Sequence, residues 1–583
     1  MSTEMTLPPD LKPSPVEAMK GGRNYLRGNL MAELANESDH LTDEGKNLVK
    51  FHGSYQQEDR DARKNRPKGA AAGKAYCFMI RLKMPGGKLT AAQYLVLDEL
   101  SDKYANGTIR LTTRQSIQFH GILKHDLRNT IAGFNKALVS SLGGCGDVNR
   151  NVMACPAPLS GAARKQMQQL ADDVAAHLAP KAGTQAYHEI WLNGEKQNLV
   201  PAENPEPVAA DVPPEVAEPI YGKLYLPRKF KVGFALANDN CIDILAQCLG
   251  FLCVTDAAGV PVGYNVYVGG GQGRSNGRAD TFAQPAECLG FVTPSEVVEM
   301  SEAIIKLYRD HGNRSDRKRA RLKYVVADWG IAKFREVFVR DYWPKPLAEA
   351  MNAPITDLDL HLGWHGQGDG KWFVGLSVEN GRIKDDGAKR LRSGLRAIAA
   401  EIGCTVRATA QQDILLCDID VAKKARVDEL LGEYGIPRAE NLSMVRKWSM
   451  ACPAIPTCPL AITESERALP TVITQMENDL KELGLDGEPI SVRMTGCPNG
   501  CARPYQSEVG LVGRGGTKYT MFIGGDSFGR RMNAELQDSV PIEQIAPKLK
   551  TIFTRFKQER AGRESFGDYC SRVGLDALRA MIA

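Results

Sequence analysis

An internal repeat constrains this chain more than any other feature. Ile109-Arg110-Leu111-Thr112-Thr113-Arg114-Gln115-Ser116-Ile117 aligns with Val406-Arg407-Ala408-Thr409-Ala410-Gln411-Gln412-Asp413-Ile414, and Met153-Ala154-Cys155-Pro156-Ala157 recurs unchanged as Met450-Ala451-Cys452-Pro453-Ala454. Both matches share one offset of 297 residues, a period far too long for a solenoid. The chain therefore reads as two pseudo-symmetric halves sharing an interface. At 583 residues it also exceeds what one core can organise, so several domains are expected.

Each half begins with a strand-like run, Tyr76-Cys77-Phe78-Met79-Ile80-Arg81-Leu82 and Trp372-Phe373-Val374-Gly375-Leu376-Ser377-Val378. A glycine turn follows each run, then a helical stretch, then the repeated strand. In the first half the helix is predicted over 91–104, with Leu95, Leu97, Leu100 and Tyr104 near helical spacing. Strand, helix, strand in each half reads as a small α+β layer. Larger α/β segments are expected over 150–345 and 440–583. Residues 1–65 are expected to form an extended arm, and the Pro- and Ala-rich stretch 200–219 a surface loop.

Four cysteines near the C-terminal end carry the chemistry. Cys452 and Cys458 form C-x5-C, and after 38 intervening residues Cys497 and Cys501 form C-x3-C. The x5 interval suits zinc poorly, because zinc half-sites usually enclose two to four residues. Four thiolates on Pro- and Gly-broken loops suit a [4Fe-4S] cluster, whose irons each take one cysteine sulfur. The competing reading is a set of buried thiols. Fourteen cysteines are too sparse for a disulfide scaffold, and residues 1–10 lack the basic and apolar regions of a secretory signal. They read as thiols of a reducing cytoplasm. Hydrophobic content of 43% and charged content of 25% are those of a soluble globular chain. No apolar run approaches the ~20 residues of a membrane span.

Net charge is only +5, so any anion-binding surface must be local. Read as one alternating strand, residues 109–120 place Arg110, Thr112, Arg114, Ser116, Gln118 and His120 on one face. The alternative is ordinary solvent exposure at a sheet edge. In the companion strand Arg114 and Ser116 become Gln411 and Asp413, and Cys458 corresponds to Gly161. One half thus keeps a cationic face and the other the cysteines. Further cations are Arg81, Arg150, Lys229, Lys231 and the run at 313–323, which contains Arg314, Arg317, Lys318, Arg319, Arg321 and Lys323. That run reads either as a solvated helix face or as a nucleic-acid patch, but no aromatic platform accompanies it. Such cations suit a polycarboxylate cofactor plus a small oxyanion. The glycine run 269–273 lacks G-x-G-x-x-G spacing and is expected to line a flat ligand rather than a dinucleotide. Nine histidines are scattered without metal-ligand spacing, and His120 either points into the site or lies at the surface, the commoner position for a strand histidine.

Nearly the whole chain resembles the siroheme and [4Fe-4S] sulfite/nitrite reductase superfamily, and within it the assimilatory sulfite reductase hemoproteins. The resemblance rests on Leu111-Thr112-Thr113-Arg114-Gln115, Asn149-Arg150-Asn151-Val152, Leu226-Pro227-Arg228-Lys229-Phe230-Lys231 and both cysteine motifs. It implies an α+β, pseudo-twofold duplicated chain: two ferredoxin-like half-domains (66–145 and 346–430) forming a central domain, plus two α/β domains (146–345 and 431–583), after the arm (1–65). It further implies that Cys452, Cys458, Cys497 and Cys501 hold the cluster, and that Cys501 also bridges to the siroheme iron. Arg81, Arg150, Lys229 and Lys231 would surround the substrate. Arg110, Arg114, Gln118, Asn149, Arg314 and Arg317 would hold siroheme carboxylates or support the anion site.

The activity so implied is six-electron reduction of sulfite to sulfide in the cytoplasm. Nitrite reductases of the superfamily generally lack the second lysine of Lys-x-Lys, so Lys231 favours sulfite. With no flavin or nicotinamide motif, electrons must come from a separate protein, either ferredoxin or an NADPH-dependent flavoprotein subunit. Gly144-Cys145-Gly146-Asp147 looks more like the ferredoxin-dependent members. No nucleic-acid or membrane partner is expected. The contrasting reading, from another functional class, is a non-catalytic cysteine-ligated metal protein binding RNA through 313–323.

Overall fold

The computed structural model describes residues 12–66, 73–181 and 218–583; the stretch 200–219 lies almost wholly outside them. The first half contributes β1 (Ser54–Glu58), β2 (Tyr76–Arg81), β3 (Lys88–Leu89), β4 (Ile109–Leu111) and β5 (Ile117–Ile122). They are followed by β6 (Met153–Ala154), β7 (Val232–Leu236), β8 (Leu249–Thr255), β9 (Pro261–Val268) and β10 (Glu287–Val292). The second half contributes β11 (Gly363–Gly366), β12 (Lys371–Leu376), β13 (Arg382–Ile383), the hairpin β14 and β15 (Asp385–Asp386, Lys389–Arg390), β16 (Thr405–Ala408) and β17 (Ile414–Asp420). It ends with β18 (Ser449–Ala451), β19 (Val492–Thr495), β20 (Val509–Gly515), β21 (Lys518–Ile523) and β22 (Ala534–Pro541).

The duplication is visible strand by strand. One sheet has the order β10-β9-β8-β7-β6 and another β18-β19-β20-β21-β22. In each, the identical Met-Ala-Cys segment supplies a short edge strand parallel to its neighbour. The remaining sheets, β1-β2-β5-β4-β13 and β11-β12-β17-β16-β3, exchange one strand each. β3 pairs with β16, and β13 with β4. Glycine is needed at both crossings: a Cβ on Gly87 would lie 2.4 Å from the Ala408 oxygen, and one on Gly381 2.6 Å from that of Leu111.

The helix Ala91–Tyr104 begins with a Thr90–Gln93 capping box and buries Tyr94, Leu97 and Leu100. Asp98 of this helix meets Arg392 of the second-half helix Leu391–Ile402, with 2.7 Å between Oδ1 and Nε. Core side chains run continuously from the N-terminal helices through both exchanged sheets, and a separate core fills the C-terminal α/β unit.

Two expectations are corrected. Residues 109–120 form a hairpin, not one strand. Thr112 N–H donates to Ser116 O at 2.9 Å, and Gln115 has φ 50°, so side-chain alternation breaks at the turn. The second half repeats this turn, with Thr409 donating to Asp413 at 2.9 Å and Gln412 at φ 73°. Residues 12–66 are folded rather than extended: helices Pro15–Gly22, Leu30–Ala35, Asp43–Leu48 and Arg60–Lys64 surround β1, which pairs with β2. Among the described residues no helix is long and apolar enough to cross a membrane.

Candidate active site

β18 and β19 are adjacent and parallel, with Ala451 opposite Met494, so the loops after them emerge side by side. The first carries Cys452 and Cys458, the second Cys497 and Cys501. Open α/β sheets commonly bind ligands at such strand ends. The loops are sewn together: Gly496 N–H donates to Cys452 Sγ at 3.4 Å and Ile462 N–H to Gly496 O at 2.8 Å. Arg60 caps the first loop, its Nε and Nη1 donating to the Pro456 and Ala461 carbonyls at 3.1 and 3.0 Å.

Burial first, and then the neighbouring Cys501, push up the Cys452, Cys458 and Cys497 thiols, Cys458 to about 11. Four thiolates this close cannot coexist without a polycation among them. That is the donor chemistry of an iron-sulfur cluster, and these residues fit one. Cys501 alone of the four is exposed.

The wall facing Cys501 is cationic. Lys229 and Lys231 flank β7 on its N-terminal side and point the same way. Each retains some accessible surface although protein encloses it, as expected for side chains lining an internal cavity. Burial lowers the Lys229 pKa well below the usual lysine value; Arg150, Arg321 and Arg228 add to the effect, and Cys501 opposes it. Burial likewise lowers Lys231, helped by Arg114, Lys229 and Arg321. Arg150 is fixed from behind by the Gly146 carbonyl (Nη2, 3.2 Å) and the Tyr55 hydroxyl (3.3 Å). Arg81 donates to Cys145 Sγ at 2.8 Å, and Gln118, with its amide oxygen turned inward, accepts from Arg81 Nε at 2.9 Å. Arg114 reaches Gln247 Oε1 at 2.6 Å and also the Asn151 carbonyl. The Asn149 side-chain amide is buried with no hydrogen-bond partner, as is that of Gln272. Buried polar groups are normally satisfied, so these orphaned amides fit a site made for a polar macrocycle.

The other expected contacts are engaged within the protein. Arg110 is buried against Glu466 (3.1 Å) and donates to the Leu111 and Ala451 carbonyls. Arg314 pairs with Glu17 at 2.5 Å and donates to the Tyr225 carbonyl, while Arg317 pairs with Asp147 at 2.8 Å. The run 313–323 is therefore neither a solvated helix face nor an exposed basic stripe: Arg314, Arg321 and Lys323 are buried, and Arg319 pairs with Asp328. His120 is also buried, not at the surface, with Nδ1 3.3 Å from Gln57 Oε1. Burial, followed by Arg382 and Arg110, holds its imidazole neutral.

Sequence reasoning names Arg321 and Lys323 only as members of the basic run and gives Arg503 and Gln272 no role. Lys323 donates to the Gly271 and Gly273 carbonyls at 3.2 and 2.7 Å, organising the glycine run around Gln272. That run packs on the second cysteine loop, where Arg274 N–H meets Pro498 O at 2.9 Å. Arg503 pairs with Asp243 and donates to Thr113 O at 3.0 Å, and Thr113 Oγ1 donates to Cys501 O at 2.9 Å. The available signal was proximity, since Arg503 lies two residues past Cys501 in sequence.

Comparison with known proteins agrees with this architecture. The nitrite/sulfite reductase ferredoxin-like half domain matches residues 71–137 and again 365–434, and the nitrite and sulphite reductase 4Fe-4S domain matches 145–347. The latter match falls on the first α/β copy, whereas all four clustered cysteines lie in the second. The sulfite reductase [ferredoxin] of Synechococcus elongatus is 44% identical, covering 97% of this chain and 90% of its own. The sulfite reductase [NADPH] hemoprotein beta-component of Staphylococcus saprophyticus is 41% identical, covering 96% and 95%. The NirA protein of Mycobacterium tuberculosis shares the fold, with a TM-score of 0.76 at 23% identity over 97% and 98% of the two chains. A duplicated pair of half-domains, two matching α/β units and full-length relatives together establish that this chain belongs to the nitrite and sulfite reductase family.

Proposed function

We propose that the protein is an assimilatory sulfite reductase that converts sulfite to sulfide. The carrying observation is the mutual proximity of Lys229, Lys231, Arg150 and Arg114, with Cys501 beside Lys229. Cys452, Cys458, Cys497 and Cys501 would hold a [4Fe-4S] cluster beside siroheme, and these groups would relay to the substrate the six electrons delivered by an external donor. Arg114, Asn149 and Gln272 would hold the macrocycle's carboxylates. The cations of the first half draw in the sulfite dianion and counter the charge that develops on each departing oxygen. Lys229 and Lys231, with pKa values lowered by burial and by each other's neighbours, release protons more readily than exposed lysines, so they deliver protons to those oxygens as water forms. Arg150 and Arg81 stay fixed by Gly146, Tyr55, Cys145 and Gln118, and orient the anion.

Electrons arrive from a separate protein, and ferredoxin is the donor favoured by Gly144-Cys145-Gly146-Asp147. On this reading the free cysteines are thiols of a reducing cytoplasm, which supports the expectation from the sequence. The test is turnover of the purified holoenzyme with reduced methyl viologen, then with reduced ferredoxin and with an NADPH flavoprotein. Sulfite should be reduced in preference to nitrite, and ferredoxin should sustain the rate. A colourless protein, or one that reduces only nitrite, would overturn the reading.

A further inference from the structure

The repeat places Cys155 at the position of Cys452, immediately after the matching edge strand. Its sulfur is not idle. Cys155 Sγ lies 3.0 Å from Asp239 Oδ2 and 3.3 Å from His361 Nε2, and the two latter atoms are 3.1 Å apart. With Cys241 Sγ, these four donor atoms all lie within 4.8 Å of one another, and the residues are 0–3% exposed. The ligands of a tetrahedral ion bound at roughly 2.0–2.3 Å lie about 3–4 Å apart, so the group has the dimensions of a single-ion site. Its donors converge on one point, unlike those of a multi-iron cluster.

We propose that Cys155, Asp239, Cys241 and His361 form a second metal centre, a closed tetrahedral zinc site at the pseudo-symmetric counterpart of the cluster. Two soft sulfurs, one imidazole and one carboxylate form a donor set suited to zinc, and four protein ligands make a structural rather than a catalytic site. The surrounding shell is already built. His361 Nδ1 faces Asp359 Oδ2 at 3.3 Å, which fixes Nε2 as the inward-facing nitrogen. Asp239 Oδ1 accepts from the Cys241 and Asp359 amides at 3.3 and 3.4 Å. Arg164 Nη1 donates to Cys155 Sγ at 2.7 Å and to Asp239 Oδ2 at 2.8 Å. Two thiolates and a carboxylate around a dication leave one negative charge, which this guanidinium neutralises.

The site joins segments remote in sequence: the loop after β6, the loop after β7 and the residues leading into β11. A bound ion would therefore staple the second half-domain's entry segment onto the first α/β unit. It would also steady Cys241, whose carbonyl accepts from Gln411 Nε2 at 2.9 Å.

The test is elemental analysis and zinc-edge X-ray absorption of holoenzyme from zinc-replete cells. The expected result is one zinc per chain beyond the iron, with two sulfur ligands at about 2.3 Å and two nitrogen or oxygen ligands at about 2.0–2.2 Å. Cys241→Ser and His361→Gln should lose that zinc while keeping the visible spectrum of the iron centres. Cys288→Ser, at an exposed thiol, should retain it. Wild-type protein with no zinc beyond trace, a Cys155–Cys241 disulfide in the non-reduced mass spectrum, or zinc with four sulfur ligands would each overturn the proposal. The wild-type measurements decide even if the variants do not fold.

Discussion

Lys229 and Lys231 each face the same conflict: a buried ammonium is costly, yet the neighbouring groups are mostly cations. An anion entering the pocket relieves both costs, so binding and proton readiness are coupled in the same side chains. Because both pKa values are lowered, the protonated form is lost as pH rises through a value well below 10.5. Sulfite turnover should therefore show an alkaline decline earlier than an exposed lysine would give. Lys231→Arg should leave only the Lys229 contribution to that decline, since guanidinium stays protonated. It should also lower kcat by roughly 10²-fold, because the proton is no longer released. Lys231→Met should raise KM as well as lower kcat. A pH–rate profile of the three proteins checks this, and unchanged profiles would remove Lys231 from proton delivery.

At the scale of elements, Asp147 shows how one buried carboxylate fastens the N-terminal region to the site. Although burial opposes it, Lys20, Arg317 and Arg228 hold the carboxyl below its usual range. Lys20 lies on the helix Pro15–Gly22, and Arg228 adjoins Lys229. A depressed carboxylate pKa contributes stability that is present above 3.8 and fades as pH falls below it. Asp147→Asn should cost about 3–5 kcal/mol at neutral pH by leaving buried cations uncompensated. The difference in melting temperature from wild type should narrow as pH drops below 3.8. A melting temperature unchanged at neutral pH would contradict this account.

What the sequence disclosed at this scale depended on whether a local cue existed. The repeat was legible because whole words recur, and the cluster cysteines because their spacing and prolines are local. The hairpin at 112–116 was not, because its positive-φ residue is Gln115, where glycine or asparagine would have signalled a turn. Arg314 and Arg321 could not be separated by reading a basic run, because burial against Glu17 or beside Lys229 depends on tertiary packing. His361 carried no cue, since Cys155, whose sulfur it approaches, lies 206 residues away in sequence.

Across the whole molecule, each of the two exchanged sheets borrows a strand from the other half, and the candidate site draws on both halves. Lys229, Lys231 and Arg150 come from the first half, and all four cluster cysteines from the second. Without β13 and β3 respectively, each half leaves a sheet edge bare, which invites aggregation. Fragments 1–345 and 346–583 expressed alone should be insoluble. Co-expressed, they should elute as one particle in size-exclusion chromatography and bind both iron centres. A soluble, cooperatively unfolding fragment on its own would contradict this interdependence. The strand exchange also sets a schedule on the ribosome. At about 5–20 residues per second, roughly 15–55 s separate the emergence of β4 from that of β13, the partner that closes its edge. For that interval the β4 edge of a nascent chain stays open to pairing with other chains, a cost the two-fold architecture places on biosynthesis.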